Sequence, residues 1–373
     1  MARSDSEHFE TVVIGGGQAG LAVGYHLATQ QRSVVILDAG ERIGDSWRKR
    51  WDSLRVFTPA RYDGLPGWDF PAPGWSYPTK DEVADYLESY AERFRLPVRT
   101  GIRVDGLYRD NDGYVVTSGL DRYHADNVVV ATGGYQAPRI PVFAAELDRN
   151  IAQFHSSQYR NPSQLREGSV LVVGAGNSGA EIALEASADH QVWLSGRDTG
   201  QEPLRAGGLV DRLLTPPFWF LLSHVLTVGT PIGRRVERQL SQQGLPLARV
   251  RRKDLSRAGI ERVPRVTGVR DGLPMTADGG VLDVATVIWC TGFVLDFHWI
   301  DLPVFDPDGA PRHTRGVVRS EPGLYFIGLF FLSAASSSLI GGVRKDARHI
   351  ARQIASREPS LGQERSGRRS GPV

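Results

Sequence analysis

The feature that most constrains this chain is a duplication. A strand, a glycine-rich turn and a helix occur at residues 11–40, TVVIGGGQAGLAVGYHLATQQRSVVILDAG. The same design returns roughly 160 residues later as SVLVVGAGNSGAEIALEASADHQVWLSGR, residues 169–197. In the first unit Val12, Val13 and Ile14 are apolar on both faces, as a strand between helix layers must be. Gly15, Gly17 and Gly20 follow, then a helix face through Leu21, Gly24, Tyr25 and Leu27, and a second buried strand, Val34–Leu37. The second unit has strand Val170–Val173, glycines at 174, 176 and 179, helix Ala180–Ala186 and strand Gln191–Leu194. Parallel strands joined through helices imply an α/β fold with two Rossmann-like units.

The spacing G-x-G-x-x-G has a mechanical reading. The first glycine makes the tight turn, the second lets the backbone approach a pyrophosphate, and the third lets helix pack on strand. The helix N-terminus then offers amides and the positive end of a dipole to the phosphates. The residue eighteen positions after the third glycine selects the nucleotide. In the first unit it is Asp38, which suits the ribose hydroxyls of an adenosine. In the second it is Arg197, after Ser195 and Gly196, and a guanidinium suits a 2′-phosphate. FAD is therefore assigned to the first site, with Gly15, Gly17, Gln18, Ala19, Gly20 and Asp38. NADPH is assigned to the second, with Gly174, Gly176, Asn177, Ser178, Gly179, Ser195 and Arg197. Because Asp198 could pair with Arg197, NADH stays open.

Each unit is followed by a strand ending in Thr-Gly: Asn127–Ala131 into Thr132-Gly133, and Thr286–Cys290 into Thr291-Gly292. One nucleotide domain is thus expected inside another. The FAD domain spans 10–158 and 295–358, and the NADPH domain spans 159–294 with a helical insertion at about 205–253. Between the units come an irregular Pro-, Trp- and Tyr-rich segment at 57–78, a helix at Asp81–Phe94 and short strands at Val98–Leu107 and Tyr114–Thr117. A Gly/Ser/Arg-rich tail, 359–373, reads as disordered.

Composition narrows the function. A formal charge of +2 over 373 residues gives no support to a nucleic-acid partner. The longest apolar stretch, Phe218–Val228, is too short to span a bilayer, so a cytoplasmic protein without a transmembrane segment is expected. The single cysteine, Cys290, excludes a redox dithiol and reads as a core residue. No His, Asp or Glu cluster has metal spacing, and no nucleophile elbow is present.

Two G-x-G-x-x-G units, H-S-S-x-Y at residues 155–159, and the A-T-G and C-T-G-F loops resemble the flavin-containing monooxygenases. The resemblance covers nearly all of residues 10–356 and is closest to a bacterial subgroup sharing R-I-G-D-S-W-R-x-R-W-D-S-L-R, residues 42–55. It implies that Trp47 lies beside the flavin and that Thr132, Gly133, Thr291 and Gly292 meet the cofactors. It implies that Ser336–Gly342 meets the flavin ring, and it offers His155 as a candidate for NADPH contact, domain coupling or proton transfer. There are departures: Ile151 and Arg149 occupy the junction motif's Gly and Phe positions, and Arg344 stands where the family has Gly. The implied reaction reduces FAD with NADPH and passes one atom of O2, through a flavin C4a-hydroperoxide, to a small organic substrate. An NADPH oxidase or reductase without oxygen insertion, and a nucleotide-sensing flavoprotein without turnover, remain open. So does the oligomeric state, with a homodimer among the alternatives.

Overall fold

The computed structural model describes residues 6–110, 113–202 and 208–357. The expected tail at 359–373 and residues 203–207 of the expected insertion lie outside them.

The chain opens with β1 (Ser6–Ile14), α1 (Gln18–Thr29) and β2 (Val34–Leu37). A short α2 (Asp45–Arg48) leads into the irregular segment. Next comes α3 (Lys80–Arg93), whose N-cap Thr79 forms a capping box with Glu82. The chain continues with β3 (Val98–Arg99), β4 (Gly106–Asp110), β5 (Gly113–Ser118) and β6 (Asp121–Val130). The expected strand over Val98–Leu107 is thus two strands: β3 runs parallel on the edge beside β2, and β4 pairs antiparallel with β5.

Two short strands, β7 (Ala137–Pro138) and β8 (Ala152–His155), precede the second unit, β9 (Val170–Val173), α4 (Asn177–Ala186) and β10 (Val192–Ser195). The insertion contributes α5 (Leu209–Phe220), α6 (Pro231–Gln243) and α7 (Arg252–Arg257). Pro216 and Pro217 lie inside α5, and a π turn at Leu221–Val225 follows directly. The two prolines withhold the amides that would bond the carbonyls of Arg212 and Leu213, so the ladder loses two bonds in the middle of α5. The chain then forms β11 (Glu261–Val263), β12 (Val266–Arg270), β13 (Leu273–Thr276), β14 (Thr286–Trp289), β15 (Phe293–Val294), β16 (Leu324–Phe326) and α8 (Val343–Ala355).

Two sheets position the site. The first has order β3-β2-β1-β6-β5-β4, with β16 also on β6. Strand β6 is long enough to serve two neighbours on one edge. Its first half pairs antiparallel with β5, and Val128–Val130 pairs parallel with Leu324–Phe326 of β16. The second sheet, β11-β10-β9-β14-β8, is all parallel. Strand β8 belongs to it, so the chain has already entered the second sheet by Ala152 rather than at residue 159, because Thr286–Trp289 pairs with Ala152–His155. Both sheets are buried on two faces: Val12, Val13, Val170, Leu171 and Val172 are fully inaccessible.

Candidate functional site

At the first turn the three glycines do different work. Gly15 has φ +110°, and a Cβ there would meet the Ala131 carbonyl oxygen at 2.7 Å. At Gly20 a Cβ would lie 1.9 Å from the Gly15 oxygen, so only glycine lets α1 sit on the turn. A Cβ on Gly17 would meet nothing within 4 Å. That open space lies above the start of α1, where the first helical bond runs from Leu21 N–H to the Gly17 oxygen at 3.0 Å. The amides of Gln18, Ala19 and Gly20 lie ahead of it, in the turn that has no helical acceptors. The donor set and the open face fit a pyrophosphate. Ala19 itself is buried, and a Cβ on Gly328 would touch its methyl at 3.0 Å, so it offers its amide and not its side chain.

Asp38 closes β2 and is already in use. Its Oδ2 accepts from Gly16 N–H at 2.6 Å and its Oδ1 from Gly40 N–H at 2.7 Å. An ionised carboxylate has about four acceptor positions, so capacity for two ribose hydroxyls remains.

The second turn repeats the first. Gly174 has φ +112° and would clash with the Cys290 oxygen at 2.1 Å, Gly179 with the Gly174 oxygen at 1.8 Å, and Gly176 faces open space. Two expected side chains are engaged elsewhere. Ser195 is fully buried; its hydroxyl donates to the Pro264 oxygen and accepts from Val266 N–H, both at 3.0 Å. It therefore fixes the strand and does not face a nucleotide. Asn177 donates to the Pro246 oxygen at 3.0 Å and accepts from Ala248 N–H at 2.8 Å, clasping the end of the insertion. Ser178 stays half-buried in the first turn of α4.

Arg197 is exposed just past β10. Asp198 pairs with Arg252, not with Arg197, at 2.7 Å, and accepts from Gly200 N–H at 2.9 Å. Arg262 donates to the Gly196 oxygen at 2.7 Å. Arg252 and Arg262 therefore both bond within 196–198, the stretch that carries Arg197. Sequence spacing finds Arg197 alone. The other two come from elements 50 to 70 residues away and become visible only once β11 pairs with β10.

The two Thr-Gly loops meet at a crossover. Strands β7 and β15 pair antiparallel through Ala137–Pro138 and Phe293–Val294. Arg139 N–H donates to the Gly292 oxygen at 2.9 Å, and the Thr291 hydroxyl donates to the Arg139 oxygen. The Gln136 amide donates to the Thr132 hydroxyl at 2.9 Å and to the Gly133 oxygen at 2.7 Å. Both threonine side chains are thus bonded within the crossover. Gly133 and Gly292 have φ +70° and +83° and present open space where a Cβ would stand.

His155 is fully buried here. Its Nε2 lies 3.0 Å from the Gly292 oxygen, and its Nδ1 lies 2.9 Å from the Ser157 hydroxyl and accepts from Ser157 N–H at 3.2 Å. Both nitrogens are committed, and burial holds the imidazole below its ordinary value. It pins β8 to the crossover, and neither ring nitrogen is free in this structure for the proton transfer named among its candidate roles. Beside it the Arg50 guanidinium lies 5.2 Å from the Tyr135 ring centre and 5.5 Å from that of Phe293. Trp47 is half-buried against the first core.

The irregular segment carries a buried acid that sequence reading missed. Asp63 is fully inaccessible; its Oδ1 accepts from the Thr58 hydroxyl at 2.5 Å, and its Oδ2 has no partner among the described residues. Burial pushes this carboxyl up to about 7. The segment is tied to α8 by Arg344, which donates to the Leu65 oxygen at 2.8 Å and pairs with Asp69 at 3.0 Å. That bond gives the unexpected arginine a structural job. Cys290 sits at the end of β14, with burial pushing its thiol up to about 12, far from a reactive thiolate.

Residues 12–206 match the family model described as pyridine nucleotide-disulphide oxidoreductase. Among relatives, an "uncharacterized oxidoreductase CzcO-like" of Geobacillus kaustophilus is 43% identical over 348 residues, 92% of this chain and 98% of that one. A "probable indole-3-pyruvate monooxygenase YUCCA9" of Arabidopsis thaliana is 28% identical over 92% of this chain and 88% of its own. Among solved structures, a flavin-containing monooxygenase from Stenotrophomonas maltophilia superposes with a TM-score of 0.74 at 27% identity, covering 94% of this chain and 98% of that one. With one cysteine the chain cannot form the dithiol in the family's title. The chain belongs to the pyridine nucleotide-disulphide oxidoreductase family and is an oxidoreductase similar to its flavin-containing monooxygenases.

Proposed function

We propose that the protein is an FAD- and NADPH-dependent monooxygenase that inserts one oxygen atom from O2 into a small organic substrate. The observation that carries this reading is the pair of matched turns with opposite chemistry after them, a carboxylate at Asp38 and three guanidiniums around residue 197. Monooxygenase relatives that cover nearly the whole chain support it. The cofactors are FAD and NADP(H). The amides at 18–20 hold the FAD pyrophosphate and Asp38 its ribose. The amides at the start of α4 hold the second pyrophosphate, and Arg197, Arg252 and Arg262 receive the 2′-phosphate. The second nucleotide domain is inserted in the first, entered by Ala152 and left near Val294.

When bound, the flavin would supply the hydride and oxygen chemistry, so no protein nucleophile would be required. The chain's own task is to hold both nucleotides across the crossover and to exclude water. The test is turnover under 18O2 with a sulfide, an amine and a ketone as probes. Label in a product, with less hydrogen peroxide released than NADPH consumed, is the expected result. Peroxide equal to NADPH with every probe overturns oxygen insertion and favours an oxidase.

A further inference from the structure

The insertion and α8 flank a cleft of about 570 Å³, whose lining includes Ser336, Gly341 and Gly342 of the segment that the family resemblance places at the flavin ring. Its walls include Trp219, Ser223, Arg315, Ser336, Lys345 and Arg348, with Arg352 at the rim, and no Asp or Glu lines it. Lys345, Arg348 and Arg352 lie on one stripe of α8 at i, i+3 and i+7, where like charges repel. Among the described residues the side chains of Arg315, Arg348 and Arg352 make no hydrogen bond or ion pair. A solvated helix face accounts for such a stripe. It does not account for the serines opposite.

Ser223 is 8% exposed and its hydroxyl has no partner among the described residues. Ser336, from the loop leading into α8, is 4% exposed and likewise makes no side-chain hydrogen bond there. An unsatisfied buried hydroxyl costs about 1–3 kcal/mol, a cost that a ligand oxygen removes. The unpartnered Ser223 hydroxyl and the guanidiniums that line the same cleft are the donor types that an oxyanion takes. The apolar surface of the lining is Trp219, which stacks on Tyr62 behind it with ring centres 4.8 Å apart and planes at 26°, among polar neighbours that include His224, Ser333 and His349. Gly341 brings this wall close, because a Cβ there would lie 1.9 Å from the Tyr62 oxygen.

We propose that this cleft binds the oxyanion group, carboxylate or phosphate, of an organic substrate whose flat apolar part lies against Trp219. The proposal deepens the monooxygenase reading and rests on it for the word substrate. The experiment is calorimetric titration of the FAD-loaded full chain with phenylacetate, phenylphosphate and neutral 2-phenylethanol. At least one anion should bind, the alcohol about tenfold or more weaker, and which anion binds identifies the group. Arg348→Glu and Ser223→Ala should each weaken the anion by about tenfold, with Ser223→Ala leaving the melting temperature unchanged or higher. Anions that bind no better than the alcohol overturn the proposal. So does anion binding that survives Arg348→Glu and disappears in Arg197→Glu, which places it on the nucleotide site. Anaerobic reduction by NADPH, measured on the same samples, separates the two readings. Reduction without anion binding removes the cleft proposal alone, and no reduction by NADPH or NADH removes the proposed function.

Discussion

The two nucleotide turns are nearly superimposable in their constraints and opposite in their chemistry. Gly15 and Gly174 have φ +110° and +112°, and the third glycines would place a Cβ 1.9 and 1.8 Å from the carbonyl of the first. In both, the middle glycine alone faces open space. The difference begins at the end of the following strand. Asp38 is fastened by backbone amides of its own loop, whereas Arg197 is joined by arginines from β11 and α7. Turn geometry is therefore local, and the side chains gathered at the strand end are local in one unit and drawn from distant elements in the other.

The sharpest way to break the symmetry is steric. Gly20→Ala and Gly179→Ala should each cost roughly 3 kcal/mol or more in urea unfolding, because a methyl cannot share space with a carbonyl oxygen. Gly17→Ala should leave the fold intact yet release FAD on gel filtration, and Gly176→Ala should raise the KM for NADPH without loss of flavin. If the middle-glycine variants lose stability like the others, the open faces are not ligand space.

Next is nucleotide choice. Arg197→Glu combined with Arg252→Gln should raise the KM for NADPH by about 10–100-fold and leave NADH nearly unchanged. Equal loss for both nucleotides would mean that the arginines stabilise the strand end only.

A pH-dependent effect comes from Asp63. Its carboxyl, pushed up to about 7 by burial, binds a proton more tightly folded than unfolded. Its contribution is fully present below the ordinary carboxylate value and is lost as pH rises towards 7. Asp63→Asn should therefore gain on the parent protein by roughly 4 kcal/mol between pH 4 and 8, read as diverging melting temperatures. Parallel curves would place an unseen cation beside the carboxylate. The smallest effect belongs to Ser195→Ala: about 1–2 kcal/mol of stability from two lost buried hydrogen bonds, with KM for NADPH unchanged. A raised KM would return that hydroxyl to the nucleotide site.

What was legible in the sequence followed from short-range rules. Buried strands announce themselves by β-branched runs such as Val170–Val173, and glycine spacing fixes the turn. Reading failed where one residue serves two neighbours or where partners come from afar. Only the second half of β6 reads as a strand, at Asn127–Ala131, because Val128–Val130 are apolar whereas residues 121–126 are mostly polar. Ser195 and Asn177 occupy fingerprint positions, but their hydrogen bonds run to residues about 70 positions downstream, beyond any periodicity. Asp63 gave no signal at all, since an acid in a Pro- and Tyr-rich loop reads as solvated until its burial is known.

The crossover has a consequence for how such chains can change length. The linker that leaves the first sheet and the linker that returns to it are paired, and His155 fastens a third segment to the same point. One residue added to either linker alone would slip Phe293 against Pro138 and take the Gly292 oxygen away from both Arg139 and His155. Tolerated changes must therefore come as matched edits in both linkers, and hybrid proteins that exchange the inserted nucleotide unit need seams outside 131–139 and 290–296.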